Sequence, residues 1–108
     1  MTGAQVRIHA GVCGFVTEAT ADSPDRQHVE ITVLSPCPKM QELAAHLPVL
    51  DAYTEIGAGF EGQFWQAVRK SVGGCCSGCA VPVGLWKAMQ VAAGLALPAA
   101  VDIQLTRG

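Results

Sequence analysis

The chain has 108 residues, of which 50% are hydrophobic and only 15% charged, and its formal charge is −2. A disordered chain has the opposite balance and a nucleic-acid module carries a basic surplus, so neither class fits. The length suits a single domain over residues 1–108, and a chain of this size buries about 65% of its unfolded surface, enough for a core without disulfide or metal staples.

The mean hydropathy of +0.31 points to a partner surface or an unusually large core. The start of the chain, Met1 to Arg7, has no apolar run behind a positive segment and does not read as a signal peptide. The charge-poor stretch from Ala80 to Val101 is interrupted by Pro82, Gly84, Lys87, Gly94 and Pro98 and is too broken to span a bilayer. The expected location is cytoplasmic, with no membrane and no nucleic acid among its partners.

Three strands are predicted first. Val6, Ile8 and Ala10 alternate with Gln5, Arg7 and His9, and Phe15, Thr17 and Ala19 alternate with Val16, Glu18 and Thr20. Val29, Ile31 and Val33 then alternate with His28, Glu30 and Thr32. A period of two with one polar face is the pattern of a half-buried antiparallel sheet. Turns at Gly11–Gly14 and Asp22–Asp25 make the three strands a meander. A helix follows from Pro38, with Met40, Leu43, Ala44 and Leu47 on one side and Pro48 at its end. Residues 49–59 read as a loose connection. Phe60, Phe64, Trp65, Val68 and Val72 keep helical spacing up to Gly73-Gly74. A third helix runs from Pro82 to Gly94 and is apolar nearly all round, which suits deep burial or a covering partner. Val101, Ile103 and Leu105 alternate with Asp102, Gln104 and Thr106, which predicts a C-terminal strand. The expected architecture is α+β in two layers, ordered β-β-β-α-α-α-β, with about three helices on one face of a four-stranded sheet.

The five cysteines fall in three places: Cys13, Cys37 and the group Cys75-Cys76-Ser77-Gly78-Cys79. In a reducing compartment thiols stay free unless they bind metal or do redox chemistry. All five lie on turns or helix starts. Core-filling thiols are instead scattered over apolar faces. Neighbouring glycines leave backbone N–H groups open to sulfur, and helix N-termini favour the negative charge of thiolates. Cys76 and Cys79 form a Cys-x-x-Cys unit, whose spacing lets one loop offer two ligands to one metal. With Cys13 and Cys37 they make four, which suits a closed zinc site or an iron–sulfur cluster. Cys75 is the spare, or a substitute for Cys76. Zinc ribbons usually carry two such knuckles and this chain has one, while three separated segments fit a larger cluster better, so iron–sulfur is preferred to zinc.

Other candidates carry less. His9 and His28 lie on polar strand faces and read as solvated; His46 near a helix end is favourable without function. Asp22 and Asp25 read as turn formers, Glu55 and Glu61 bracket a glycine-containing loop, and Trp65 and Trp86 read as core or interface anchors. No nucleophile elbow, phosphate loop or paired-carboxylate pattern is present.

The segments Gly11-Val12-Cys13-Gly14-Phe15, Ser35-Pro36-Cys37, Cys76-x-x-Cys79 followed by Val81-Pro82, and Val91–Pro98 together resemble a family of small uncharacterised cysteine-containing proteins of anaerobic bacteria and archaea. The resemblance spans nearly the whole chain. It implies no activity, but an anaerobic setting favours iron–sulfur over zinc. It also implies that the position of Cys76 can hold His, which keeps a ligand there. The pair Cys75-Cys76 and the alanine at position 80 depart from the family pattern.

The expected function is therefore metal or iron–sulfur binding through Cys13, Cys37, Cys76 and Cys79, serving electron transfer, cluster carriage or structural support of a protein partner or homodimer. Catalysis is not expected, since four thiolates leave no open coordination position. The alternatives are a thiol oxidoreductase using Cys76 and Cys79, and a metal-free interaction module presenting its third helix.

Overall fold

The computed structural model describes residues 2–108, with side chains from Gly3 onward. Three long strands come first: β1 (Thr2–His9), β2 (Val16–Ser23) and β3 (His28–Leu34). Helix α1 (Pro38–His46) follows, then the two-residue strand β4 (Leu50–Asp51) and helix α2 (Ala52–Ala58). A 3₁₀ turn (Gly59–Glu61) leads into α3 (Gln63–Ser71), and a second (Gly74–Gly78) leads into α4 (Val81–Ala92). The sheet is antiparallel throughout, in the order β1-β2-β3-β4.

The meander follows the expected alternation. Val6 pairs with Ala19 and Ala19 with Val33, while Ala4 pairs with Ala21 and Ala21 with Ile31. These rows face the helices. The opposite face carries exposed polar residues, among them Arg7 and Glu18 with charged atoms 3.7 Å apart. The small residues of β2 leave room for α4, which lies across β1 and β2. A glycine is needed at the closest approach: a Cβ on Gly84 would stand 2.5 Å from Ile8 Cδ1. Helix α1 packs beside β3, and α3 packs on α1. Phe64, Leu43, Met40, Leu85 and Met89 are fully buried between these layers.

Three expectations are corrected. The predicted C-terminal strand does not form. Residues 94–108 are exposed, and the fourth strand is instead β4, inside the segment read as a loose connection. Alternation permits a strand, but a strand also needs an edge to pair with, and the tail meets none in this molecule. The same loose segment holds α2. Asp51 caps that helix, its Oδ1 accepting the Thr54 N–H at 3.1 Å. Seven residues are too few for periodicity to stand out. The second predicted helix is also shorter than its spacing suggested. It starts at Gln63, and Phe60 lies in the preceding 3₁₀ turn.

Candidate functional site

Folding brings the three cysteine segments to one end of the sheet. Cys13 sits in the β1–β2 turn, which is closed by Gly14 N–H donating to the Gly11 carbonyl at 2.9 Å and Ala10 N–H to Phe15 at 3.2 Å. Gly11 and Gly14 both have positive φ, which admits the turn without strain. β3 ends beside the start of β2, since Leu34 pairs with Glu18. There the Ser35 hydroxyl is hydrogen-bonded to that of Thr17 at 2.8 Å. Ser35 Oγ also accepts the Cys37 N–H at 3.1 Å and so fixes the entry into α1, with Cys37 as N-cap residue and Pro38 as first helical residue. Helix α4 begins at the same end, because Gly84 in its first turn rests on Ile8, near the end of β1. The Cys75–Cys79 segment leads directly into that helix. Lys39 Nζ ties the start of α1 to this segment through the Gly73 carbonyl at 3.2 Å.

The local form of Cys76-x-x-Cys79 is a 3₁₀ turn. Cys76 N–H donates to Gly73 at 3.2 Å and Cys79 N–H to Cys76 at 3.0 Å. Cys76 and Cys79 are half-buried against the core, as is Cys37, whereas Cys75 and Cys13 are exposed. Cys76 and Cys79 border an apolar groove of about 350 Å³ that also meets Trp65, Val68 and Pro82. Behind it Phe64, Trp65 and Trp86 stack edge-on or tilted, with ring centroids 5.0 to 5.8 Å apart. The two tryptophans thus belong to the packing of α3 against α4. Among the described residues no group of three or more Cys, His, Asp or Glu side chains is close enough to hold a metal ion, and all five cysteines are unpaired thiols. Topology gathers the four candidate ligands at one end without closing them into a coordination sphere.

Sequence reasoning missed two polar arrangements. At the opposite end of the sheet, His28 Nδ1 lies 2.7 Å from Asp25 Oδ2, and its Nε2 lies 3.9 Å from Asp51 Oδ2. The hydrogen bond that His28 donates to the Asp25 carboxylate raises the His28 pKa above its usual 6.5, and Asp25 is held well below the usual carboxylate range. Asp51 is also lowered, chiefly by the Gln27 side-chain amide donating to it at 2.8 Å. His28 is exposed as expected, but it is paired rather than merely solvated. The Asp-x-x-His spacing carried that signal; the third partner arrives only through the β3–β4 register, where His28 faces Asp51. The second arrangement is Glu55, almost fully buried, whose carboxylate accepts the N–H groups of Phe64 at 2.7 Å and Gln63 at 3.2 Å and so caps α3. His9 is exposed, and His46 stays on α1 with its Nδ1 2.9 Å from the Glu42 carbonyl.

No helix among the described residues is long and apolar enough to cross a membrane. Comparison with curated proteins and with solved structures finds no match. A family model does match, over residues 4–105, nearly the whole folded body and most of the tail, and the chain belongs to that family, the family of unknown function DUF6951.

Proposed function

We propose that the cysteine end of the sheet binds a metal centre through Cys13, Cys37, Cys76 and Cys79, with an iron–sulfur cluster preferred to zinc. The observation that supports this most is the meeting, at one end of the fold, of three cysteine segments that lie far apart in the chain. A small thiolate site commonly forms together with its metal. Here the two segments that must close are glycine-bearing turns, Gly11–Gly14 and Gly73–Gly78, whose conformations already include positive φ at Gly11, Gly14 and Gly74. Cys37 at the start of α1, with Cys76 and Cys79 ahead of α4, places thiolate charge where unpaired backbone N–H groups of helix termini favour it. Four thiolates would complete the coordination of zinc or of a cluster and leave the centre to carry electrons, be passed on, or hold a partner complex.

Reconstitution under anaerobic conditions tests this residue by residue. Cys13→Ser, Cys37→Ser, Cys76→Ser and Cys79→Ser should each lose most bound iron or zinc, while Cys75→Ser should keep it. Equal retention by Cys13→Ser or Cys37→Ser would remove the four-ligand reading.

One observation favours thiol chemistry as the second reading: the Cys76-x-x-Cys79 turn stands just before α4, beside an apolar groove. That reading requires a reversible Cys76–Cys79 disulfide that forms equally well in Cys13→Ser, measured by thiol counting at defined redox potentials.

A further inference from the structure

The C-terminal tail and the first strand each lack what the other has. β1 is an edge strand, paired only with β2 along its eight residues. Among the described residues its outer backbone groups have no protein partner. Of the usual protections of a free edge it carries only the charge of Arg7, on the outward face; it has no proline, no lysine and no bulge in its pairing with β2. The tail has the residues of a strand without its pairing. Val101, Ile103 and Leu105 alternate with Asp102, Gln104 and Thr106, yet the three apolar side chains are 58%, 66% and 91% exposed. Among the described residues no hydrogen bond joins residues 96–108 to the folded body. Six residues of strand span about 20 Å, about three quarters of the eight-residue β1.

We propose that the tail adds as a fifth strand to the β1 edge of a second copy of this chain, reciprocally, in a two-fold dimer. The fit is one of face as well as edge. The inward residues of β1 are Ala4, Val6 and Ile8, and a strand laid beside them would continue that apolar row with Val101, Ile103 and Leu105. It would cover the flank of α4 on which Gly84 and, two turns later, the half-buried Val91 lie. The tail leaves the body at the end of the sheet that holds the β2–β3 turn and the start of β1. Gly94, at φ 74°, closes α4 with Leu95 N–H donating to Gln90 at 2.8 Å, and sends the chain past Arg26 in the β2–β3 turn. Reciprocal exchange uses both edges and both tails, so the assembly closes and leaves no β1 edge open to further addition. The occupant is thus a second copy, identified by a segment that every chain carries.

Light scattering across a wide concentration range, in reductant, tests the exchange together with hydrogen–deuterium exchange of residues 101–106 and β1. Wild type should dimerise, with both segments protected in step with dimer formation. Ile103→Pro and Gln104→Pro interrupt a strand whichever residue faces the edge. At least one of them, and a chain ending at Pro98, should raise the dissociation constant about tenfold or more while leaving the circular dichroism of the body intact. A wild type that stays monomeric at every concentration would overturn the proposal. So would a dimer that survives removal of the tail, or a tail protected within a monomer, which would mean pairing with its own sheet.

Discussion

Glu55 is almost fully buried and, among the described residues, has no basic partner, yet its place is well satisfied because two backbone N–H groups at the start of α3 donate to its carboxyl oxygens. Gly62 completes the arrangement, since a Cβ there would stand 2.7 Å from Glu55 Oε1. Glu55→Ala should cost about 2–3 kcal/mol, the loss of charged hydrogen bonds that leaves buried donors open. Gly62→Ala displaces the same carboxylate and should cost about 1–3 kcal/mol. The double variant should cost little more than the larger single one, because both remove one interaction. Urea unfolding measures all three, and full additivity would contradict the shared mechanism. His28 makes a second prediction at this scale. Its pKa is raised, so its contribution to stability is complete below about 6.5 and is lost as pH rises through the higher folded value. Asp25 is lowered, so its contribution is present above about 3.8 and is lost as pH falls through the lower folded value. The pair therefore supports the fold most between those limits. An NMR titration should find His28 above 6.5, and Asp25→Asn should bring it back toward that value. A His28 that titrates at the same pH in both proteins would contradict the contact. The pair is exposed, so its effect on stability is small.

Among the elements, α4 shows why a residue that weakens a helix is retained. Glycine in a helix interior is less favourable than alanine by about 1 kcal/mol, but alanine at position 84 would collide with Ile8 Cδ1 and Cγ1, at 2.5 and 2.7 Å. Gly84→Ala should therefore destabilise by about 1–3 kcal/mol despite its better propensity. Adding Ile8→Val, which removes Cδ1, should recover part of the loss; thermal melts of the two variants read this out. The three long strands and α1 were legible because hydrophobic period and turn residues agree over seven or more residues, and α4 because Pro82 and Gly94 bound an apolar run. The pair β4 and α2 was not, because its only local mark is the cap at Asp51 and its pairing depends on Gln27 and on His28 and Val29 at the distant start of β3. The tail is the reverse case. Its alternation is the cleanest in the chain, and it forms no strand in the single molecule because pairing is a property of two segments.

For the molecule as a whole, the placement of the cysteines on turns and helix starts was readable from spacing, but that their segments share one end of the sheet was not. It rests on the antiparallel order that returns β3 beside the start of β2, and on α4 running over β1 with its first turn at Ile8. The polar ends of the fold divide accordingly: thiols at one end, and the Asp25–His28–Asp51 cluster at the other. The aromatic packing of α3 on α4 lies behind the thiol end and supports the turn that carries Cys76 and Cys79. Metal binding by these turns would couple to folding, so the loaded protein should melt higher than the stripped one, and chelation should remove the difference. Wild-type protein isolated anaerobically and assayed for metal and visible absorption tests the central claim most directly. A brown protein with iron and sulfide bound, or a colourless one with stoichiometric zinc, is the expected result; protein that carries neither after anaerobic isolation, and takes up neither on reconstitution, would contradict it.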